Sequence, residues 1–418
     1  MRKKATITLC MRLALVVILA LIGTSGCERK DRPMTDDNLD SSTNWIAQIQ
    51  VDPSVTKELF LQWRSPRFGK ANPERMNNPV WDWLFKTRIN AFAATERLGG
   101  PSASDAGPGW CFDRFGQSET QLPDGRIVFI SGEHEDHYDP DFNIYNDVVV
   151  QHLDGRVDIY GYPREIFPPT DFHSATLVSD RIVIIGNLGY GEEPQPASTP
   201  VFVLDLVTLA ISNVVTTNTP PGWISRHKAT LSADGRSILI QHGKVIRDKP
   251  DGAYVDNIDD WRLHLDGWRW ERLTERKWPR WEVRRKDGER NHLFEYQQAL
   301  WSKQNPELNK PGGALARLKE QFEIPSLEND LGKRPDLELF ERLYRPSVAH
   351  EALPKSVEEF NVWRIRAGGV IVRYVEDMDA IQMTVEGELP QQTLDALTRD
   401  LLDKLSTLEN TPCRLIRL

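Results

Sequence analysis

The chain has 418 residues, of which 39% are hydrophobic and 27% are charged, and its formal net charge is -9. This composition excludes wholesale disorder and is enough for two folded domains. The negative charge argues against a nucleic-acid partner, because no global basic field draws the protein towards a polyanion.

The N-terminus has the pattern of an export signal. Basic residues precede an uncharged apolar run from Leu13 to Ile22, which is short for a bilayer span. Ser25 and Gly26 then precede Cys27 in a segment that resembles a bacterial lipobox, with Thr24 where leucine is usual. The resemblance implies a signal peptide over residues 1–26 and a lipid on Cys27. A leader that is simply cleaved, or one that is retained as an anchor, is the alternative.

The export signal predicts an extracytoplasmic protein, anchored to the cell membrane or the outer membrane of a bacterium. Residues 27–45 are polar and charged, which is typical of a flexible tether. A helical segment is predicted over 46–110, with one amphipathic helix between Asn78 and Gly99. Beyond Cys27 the sequence has two cysteines, Cys111 and Cys413, which either pair or stay as buried thiols.

A repeat runs through the middle of the chain. Gln117-Ser118-Glu119-Thr120 aligns with segments that begin at His173 and at His227, 56 and then 54 residues further along. Each segment is followed by an aspartate and an arginine that lead into an apolar strand. A second pair of strands recurs in each repeat, so the pattern predicts three units of about four strands.

Residues 111–280 resemble tandem kelch repeats of a β-propeller. The matches include proline pairs before His173 and His227 and the segment Trp268–Leu273, whereas the double glycine of the family is degenerate. The resemblance implies a mainly β fold with about three recognisable blades, and a plain β-sandwich is the alternative. A closed propeller normally needs at least four blades. The open edges would therefore be covered by degenerate blades, by flanking helices or by a partner chain.

The rest of the chain has a mixed pattern. Residues 281–355 predict a helical connector, with apolar periodic segments separated by proline and glycine. Residues 356–418 predict a small α+β domain in the order β-β-β-α-β, with a hairpin at Gly368-Gly369 and a stripe of leucines after Pro390.

One loop has side chains that suit a divalent metal ion. It contains the candidate ligands His134, Asp136, His137 and Asp139. A solvated acidic loop between two strands explains the same residues, and we favour it, so no cofactor is predicted and a divalent metal is the alternative. His173 and His227 occupy equivalent repeat positions, for which we favour a structural role.

A second candidate is a run that interleaves aromatic and basic residues. Its members could bind an anionic membrane surface, a glycan or nucleic acid, or the rings could close the third repeat, which is the interpretation we favour. The residues concerned are Trp268, Trp270, Trp278, Arg280 and Trp281.

The functional expectation is a binding module for a protein or a glycan. Kelch-type propellers are also the scaffold of copper-radical oxidases similar to galactose oxidase, which need a cysteine cross-linked to a tyrosine. Around Cys111 no set of tyrosine and histidine stands out in the sequence, so we do not expect that chemistry. The alternative is a metal-dependent carbohydrate-active enzyme that uses His134 and His137.

Overall fold

The computed structural model describes residues 50–134, 140–246, 254–306, 326–355 and 361–418. The predicted signal peptide, Cys27 and the whole of the predicted tether lie outside these residues. The chain forms two compact units that meet in the sequence between Arg276 and Lys277, and we call them the N-terminal and the C-terminal unit. The fold is mainly β with several antiparallel sheets, none closed within the described residues. In that same part of the chain, no helix combines the length and the apolarity needed to cross a bilayer.

The N-terminal unit begins with helices. These are α1 (Lys57–Trp63), α2 (Pro79–Thr87), α3 (Ala91–Leu98) and α4 (Ala103–Ala106). Two helices, α2 and α3, stand where the sequence predicted one. Arg88 adopts a left-handed conformation with φ of 58° and ends α2, and the Asn90 side chain caps α3 by accepting the N–H of Ala93 at 2.8 Å. The second asparagine cap was the signal that hydrophobic periodicity alone did not reveal.

Three four-stranded antiparallel meanders follow, each in the strand order of the sequence. Short extra strands are inserted in the first and third meanders, and β1 is added to the edge of the first. The strands in and around the first meander are β1 (Glu74–Arg75), β2 (Ser118–Gln121), β3 (Ile127–Ile130), β4 (Glu133–His134), β5 (Asn143–Ile144), β6 (Val148–Gln151) and β7 (Val157–Gly161). The meander itself is formed by β2, β3, β6 and β7. The second consists of β8 (Ser174–Val178), β9 (Arg181–Ile185), β10 (Val201–Asp205) and β11 (Ile211–Asn213). The strands in and around the third meander are β12 (Ile224–Ser225), β13 (Lys228–Leu231), β14 (Ser237–Gln241), β15 (Lys244–Ile246), β16 (Tyr254–Asp256), β17 (Trp261–His264) and β18 (Arg269–Arg272). The meander itself is formed by β13, β14, β17 and β18.

Equivalent backbone contacts join the meanders through their first strands, since β8 lies beside both β2 and β13. Gly116, Phe172 and Arg226 occupy the same repeat position, and all three have a positive φ. The N–H of Phe172 donates to the carbonyl of Gly116 at 3.0 Å, and the N–H of Arg226 donates to the carbonyl of Phe172 at 2.8 Å. Apolar side chains fill the space between the first and second meanders and between the second and third.

The two outer faces of this stack differ. Helices α2 and α3 pack on the free face of the first meander, where Trp81 and Phe85 share a core with Phe129, Val149 and Ile159. On the third meander, Ile238, Ile240, Leu263 and Trp270 point inwards, so the alternate residues form its outer face. That face carries mainly polar side chains, among them Lys228, Thr230, Arg262, His264, Arg269 and Glu271.

The C-terminal unit is a sheet with helices packed on it. Its elements are β19 (Arg280–Arg285), α5 (Leu293–Gln304), α6 (Leu327–Leu331), α7 (Leu337–Glu341), β20 (His350–Ala352), β21 (Val362–Ala367), β22 (Val370–Glu376), β23 (Ile381–Val385), α8 (Gln391–Leu408) and β24 (Cys413–Arg417). The antiparallel order is β20-β21-β22-β23-β19-β24. The leucine stripe of α8 is buried in the core of this unit.

Strand β19 was not foreseen, because the sequence analysis divided its residues between the end of the repeat region and a helical connector. Trp281 and Val283 alternate into the core, whereas the arginines around them gave the segment the composition of a surface. Cys111 and Cys413 are both buried and are not joined by a disulfide, so of the two alternatives for these cysteines the structure has two separate buried thiols.

Candidate functional site

The chain topology brings one set of loops to a common end of the stack. Because strands of a meander alternate in direction, the loop between the second and third strands lies at the same end as the segment that leads to the next meander. We call this the loop end. It contains Glu133, Asp171, Phe172, Arg226 and Tyr254.

Asp171 is a fully buried carboxyl group in the segment between the first and second meanders. Its Oδ1 accepts the N–H of Gly189 at 2.7 Å, and its own N–H donates to Asn187 Oδ1 at 2.9 Å. Burial raises the pKa of Asp171, while hydrogen bonds from Gly189 and the Glu133 side chain and the charge of Arg226 oppose this shift. The Glu133 side chain is thus close enough to influence Asp171, whose Oδ2 atom has no hydrogen-bond partner among the described residues.

Cationic and aromatic groups surround these two carboxyl groups. The exposed Arg226 places its guanidinium carbon 3.3 Å from the centroid of the Phe172 ring. Phe115, which is 63% exposed, pairs with Glu133 through two backbone hydrogen bonds of 2.9 and 2.8 Å. Burial and then the charge of Asp171 raise the pKa of Tyr254, which places its phenol in the same electrostatic environment. The loop end therefore combines acceptors, a cation and aromatic faces.

A cavity of about 90 Å³ adjoins the hairpin formed by β4 and β5. In this hairpin, Glu133 pairs with Ile144 and His134 pairs with Asn143, so one hairpin supplies both Glu133 and part of the cavity wall. The cavity is lined by Pro66, Arg67, Phe68, Trp81, Trp110, Asn143, Ile144, Tyr145, Asn146 and Asp147.

His173 and His227 join successive meanders. The Nε2 atom of His173 lies 2.8 Å from Ser118 Oγ, and that of His227 lies 2.8 Å from Ser174 Oγ. Burial lowers the pKa of His173 to about 3 and that of His227 to about 4, so both rings are neutral at pH 7. In each case the partner is a serine hydroxyl of the preceding repeat. Neither Nδ1 atom has a hydrogen-bond partner among the described residues.

The predicted metal loop is only partly described. His134 is buried in β4, with Nε2 3.4 Å from Cys111 Sγ, whereas Asp136, His137 and Asp139 lie outside the described residues. Within the described part, histidine, cysteine and acidic side chains do not gather in groups of three or more that could hold a metal ion. The divalent metal remains a prediction.

The predicted aromatic and basic run is divided between the two units. Trp268 and Trp270 belong to the N-terminal unit, where Trp270 is buried in the core, and the Trp268 ring lies 5.5 Å from the guanidinium of Arg181. Trp278, Arg280 and Trp281 belong to the C-terminal unit, where Trp281 is buried. The rings of Trp270 and Trp281 thus have the packing role of the structural alternative.

Sequence reasoning missed the residues that dominate the loop end. Asp171-Phe172 and Ser225-Arg226 stand directly before the two repeat histidines, in register with Phe115-Gly116. The alignment that found His173 and His227 therefore contained these positions. The side chain differs between repeats at these positions although the backbone position is equivalent, and this difference was the signal of a specialised site.

No family model matches the chain, and no curated protein matches it. Among 75 matching chains of solved structure is the structure of YjhT, at 11% sequence identity and a TM-score of 0.30. The similarity covers 39% of this chain and 52% of that chain, so this chain matches about half the length of that structure.

Proposed function

We propose that the chain is an exported, lipid-anchored protein whose N-terminal unit is a three-bladed kelch-like arc that binds a glycan at the loop end. The observation that carries the binding role is the buried Asp171 carboxyl group, whose Oδ2 atom has no hydrogen-bond partner among the described residues and which lies near Glu133 and the exposed Arg226. Glycan recognition needs acceptors and donors for hydroxyl groups, together with aromatic faces for the apolar side of a sugar ring. The loop end has each of these, with Phe115 and Phe172 as the rings.

The kelch-like assignment is supported by the repetition of one unit. Each meander has four antiparallel strands in sequence order, and the first strands of successive meanders are neighbours. The His173–Ser118 and His227–Ser174 contacts are equivalent, as expected for copies of one blade. Loops on such a rigid scaffold are suited to recognition.

The location is proposed from the N-terminal sequence, in which Cys27 follows the apolar segment and the small residues Ser25 and Gly26. Metabolic labelling with palmitate in a bacterial host should label the membrane fraction, and Cys27→Ser should abolish the label. Equal labelling of both proteins would contradict lipidation of Cys27.

Glycan binding is tested by screening the mature protein against an array of bacterial and host glycans, followed by calorimetry on the glycans that bind. Arg226→Ala should weaken binding at least about tenfold, because a charge-assisted hydrogen bond is lost. Arg262→Ala is the matched control, since Arg262 is a partly exposed arginine on the outer face of the third meander.

Two results would contradict the proposal. Binding that Arg226→Ala and Arg262→Ala reduce equally would remove the loop end as the site. A lack of binding to every glycan, combined with recovery of a cross-linked protein at the loop end, would favour a protein ligand.

A further inference from the structure

Two tryptophans carry a buried indole N–H group that has no hydrogen-bond partner among the described residues. They are Trp81 of α2 and Trp270 of β18, and each side chain is 1% exposed. A buried donor that bonds neither protein nor water costs free energy, so each of these groups requires an explanation. Their surroundings differ, since Trp81 lines the cavity of about 90 Å³ whereas Trp270 lies in the core between the second and third meanders.

The cavity beside Trp81 can be reached from solvent. Its lining includes Phe68, which is 43% exposed, and Arg67, whose side chain is 35% exposed. One water molecule needs roughly 10–15 Å³ of such space, so the cavity has room for a molecule of several non-hydrogen atoms. The Trp81 ring is held in place by stacking on Trp110.

Several other polar groups of the cavity wall already bond within the protein. The indole N–H of Trp110 donates to Asp147 Oδ2 at 2.8 Å, and the Asn146 amide donates to two backbone carbonyls at 2.9 and 2.7 Å. The Tyr145 hydroxyl donates to a backbone carbonyl at 3.1 Å. The Trp81 N–H therefore differs from these groups as a donor that a ligand can use.

The charges at the wall favour a neutral ligand. The Asp147 carboxylate is matched by the Arg114 guanidinium and also accepts the Trp110 indole, so it has little to offer a cation. Arg67 is matched in turn by Glu74, with 3.0 Å between Nη2 and Oε1. An anion would lie beside the Asp147 carboxylate, and Glu74 would weaken its attraction to Arg67.

We infer that this cavity binds a small neutral carbonyl compound whose oxygen accepts the Trp81 indole N–H. A carbonyl oxygen is only an acceptor, whereas a hydroxyl group would add a donor to a wall where acceptors are already used. Apolar substituents of the ligand would pack against the aromatic side chains of Phe68 and Tyr145, which also line the cavity. The site uses neither Asp171 nor Arg226, so it is independent of the proposed glycan site.

The test uses the full chain with isotope-labelled tryptophan and follows the indole N–H resonances by NMR during titration with N,N-dimethylacetamide. Trp81→Phe and Trp270→Phe assign the two resonances. We expect a saturable change of the Trp81 resonance in the millimolar range, because so small a ligand gains limited affinity. The Trp270 resonance is the internal control and should not change.

Two ions of similar size test the preference for a neutral ligand. Isobutyrate and isobutylammonium should require concentrations at least about tenfold higher than N,N-dimethylacetamide, because the wall has no unmatched counter-charge for either. Binding of either ion at the same concentrations as the neutral probe would overturn the neutral class.

A second outcome would overturn the site itself. It is a Trp81 resonance that does not respond to N,N-dimethylacetamide, or that responds no more than the Trp270 resonance. The cavity would then be a site for water alone. This comparison is made within the unmodified protein, so it does not depend on the stability of a variant.

Discussion

The first and third meanders end the same stack in opposite ways. On the first, Trp81 and Phe85 of α2 cover an apolar face that includes Phe129 and Val149. On the third, the side chains of Arg262 and Glu271 are 39% and 40% exposed on a polar face. Within the described residues, three repeats therefore end without a fourth, because one outer face is covered by helices and the other is hydrophilic. Repeat arrays commonly have such atypical terminal surfaces.

The largest effect is expected from opening the covered face. Trp81 is fully buried and stacks on Trp110 with 5.2 Å between ring centroids. Trp81→Ala should lower the free energy of unfolding by about 3–5 kcal/mol, since the helices lose their main contact with the first meander. Urea unfolding followed by circular dichroism measures this, with Arg262→Ala as the control on the polar face. Equal losses in the two variants would show that the faces do not differ.

The next largest loss of stability is expected from disrupting a buried ion pair near the covered face. Arg114 donates to Asp147 with 2.9 Å between Nη2 and Oδ2, and Trp110 donates to the same carboxylate at 2.8 Å. Both charged side chains are almost completely buried. Asp147→Asn should cost about 3 kcal/mol in the same unfolding assay, because the Arg114 charge would remain buried without a counter-charge. Glu271→Gln makes the matched change in an exposed pair, and a similar loss there would contradict this explanation.

The histidine–serine contacts between successive meanders predict a smaller effect on stability, which depends on pH. The pKa of His227 is about 4 in the folded protein, below the ordinary value of 6.5, so its stabilising contribution is present above pH 6.5 and is lost as the pH falls towards 4. Between pH 7 and pH 4.5 this loss is on the order of 2 kcal/mol.

Replacing the ring tests this assignment. His227→Gln should have a shallower stability–pH curve than the unmodified protein, and His173→Gln should change the curve similarly. Denaturant titrations at a series of pH values give these curves. An unchanged slope in both variants would remove the two histidines as the cause.

Changes on the polar face of the third meander should have the smallest effect on stability. They should instead alter assembly. Replacing Arg262 and Arg269 by valine would make the outer face of the third meander more apolar without touching its core. We expect association that increases with concentration, because an uncovered apolar sheet face favours contact with another copy. Size-exclusion chromatography with light scattering detects it. A variant that elutes like the unmodified protein at every concentration would show that polarity does not protect this face.

Much of the N-terminal unit could be predicted from local sequence signals. The spacing of the segments at Gln117, His173 and His227 located three four-stranded units, because turn residues and apolar strands recur in register. The division of the helical segment at Arg88 was missed, since a left-handed arginine has no strong sequence signature. The mainly β class was confirmed, whereas the kelch assignment remains a proposal.

The candidate site was less predictable. His134 and Cys111 each attracted attention in the sequence, but their contact depends on α3 and on the β4–β5 hairpin, which are far apart in the chain. The Glu133–Asp171 pair likewise joins loops of two different repeats. Such contacts follow from topology, which residue types and spacing do not specify.

Strand β19 has a consequence for protein engineering. It lies between β23 and β24, although Arg280 precedes each of them by more than 100 residues in the chain. An expression fragment that begins at residue 356, the boundary the sequence suggests, would omit an interior member of the sheet and leave β24 without its hydrogen-bonding neighbour. Cleavage sites or fusion partners intended to separate the two units therefore belong close to Lys277, upstream of this strand.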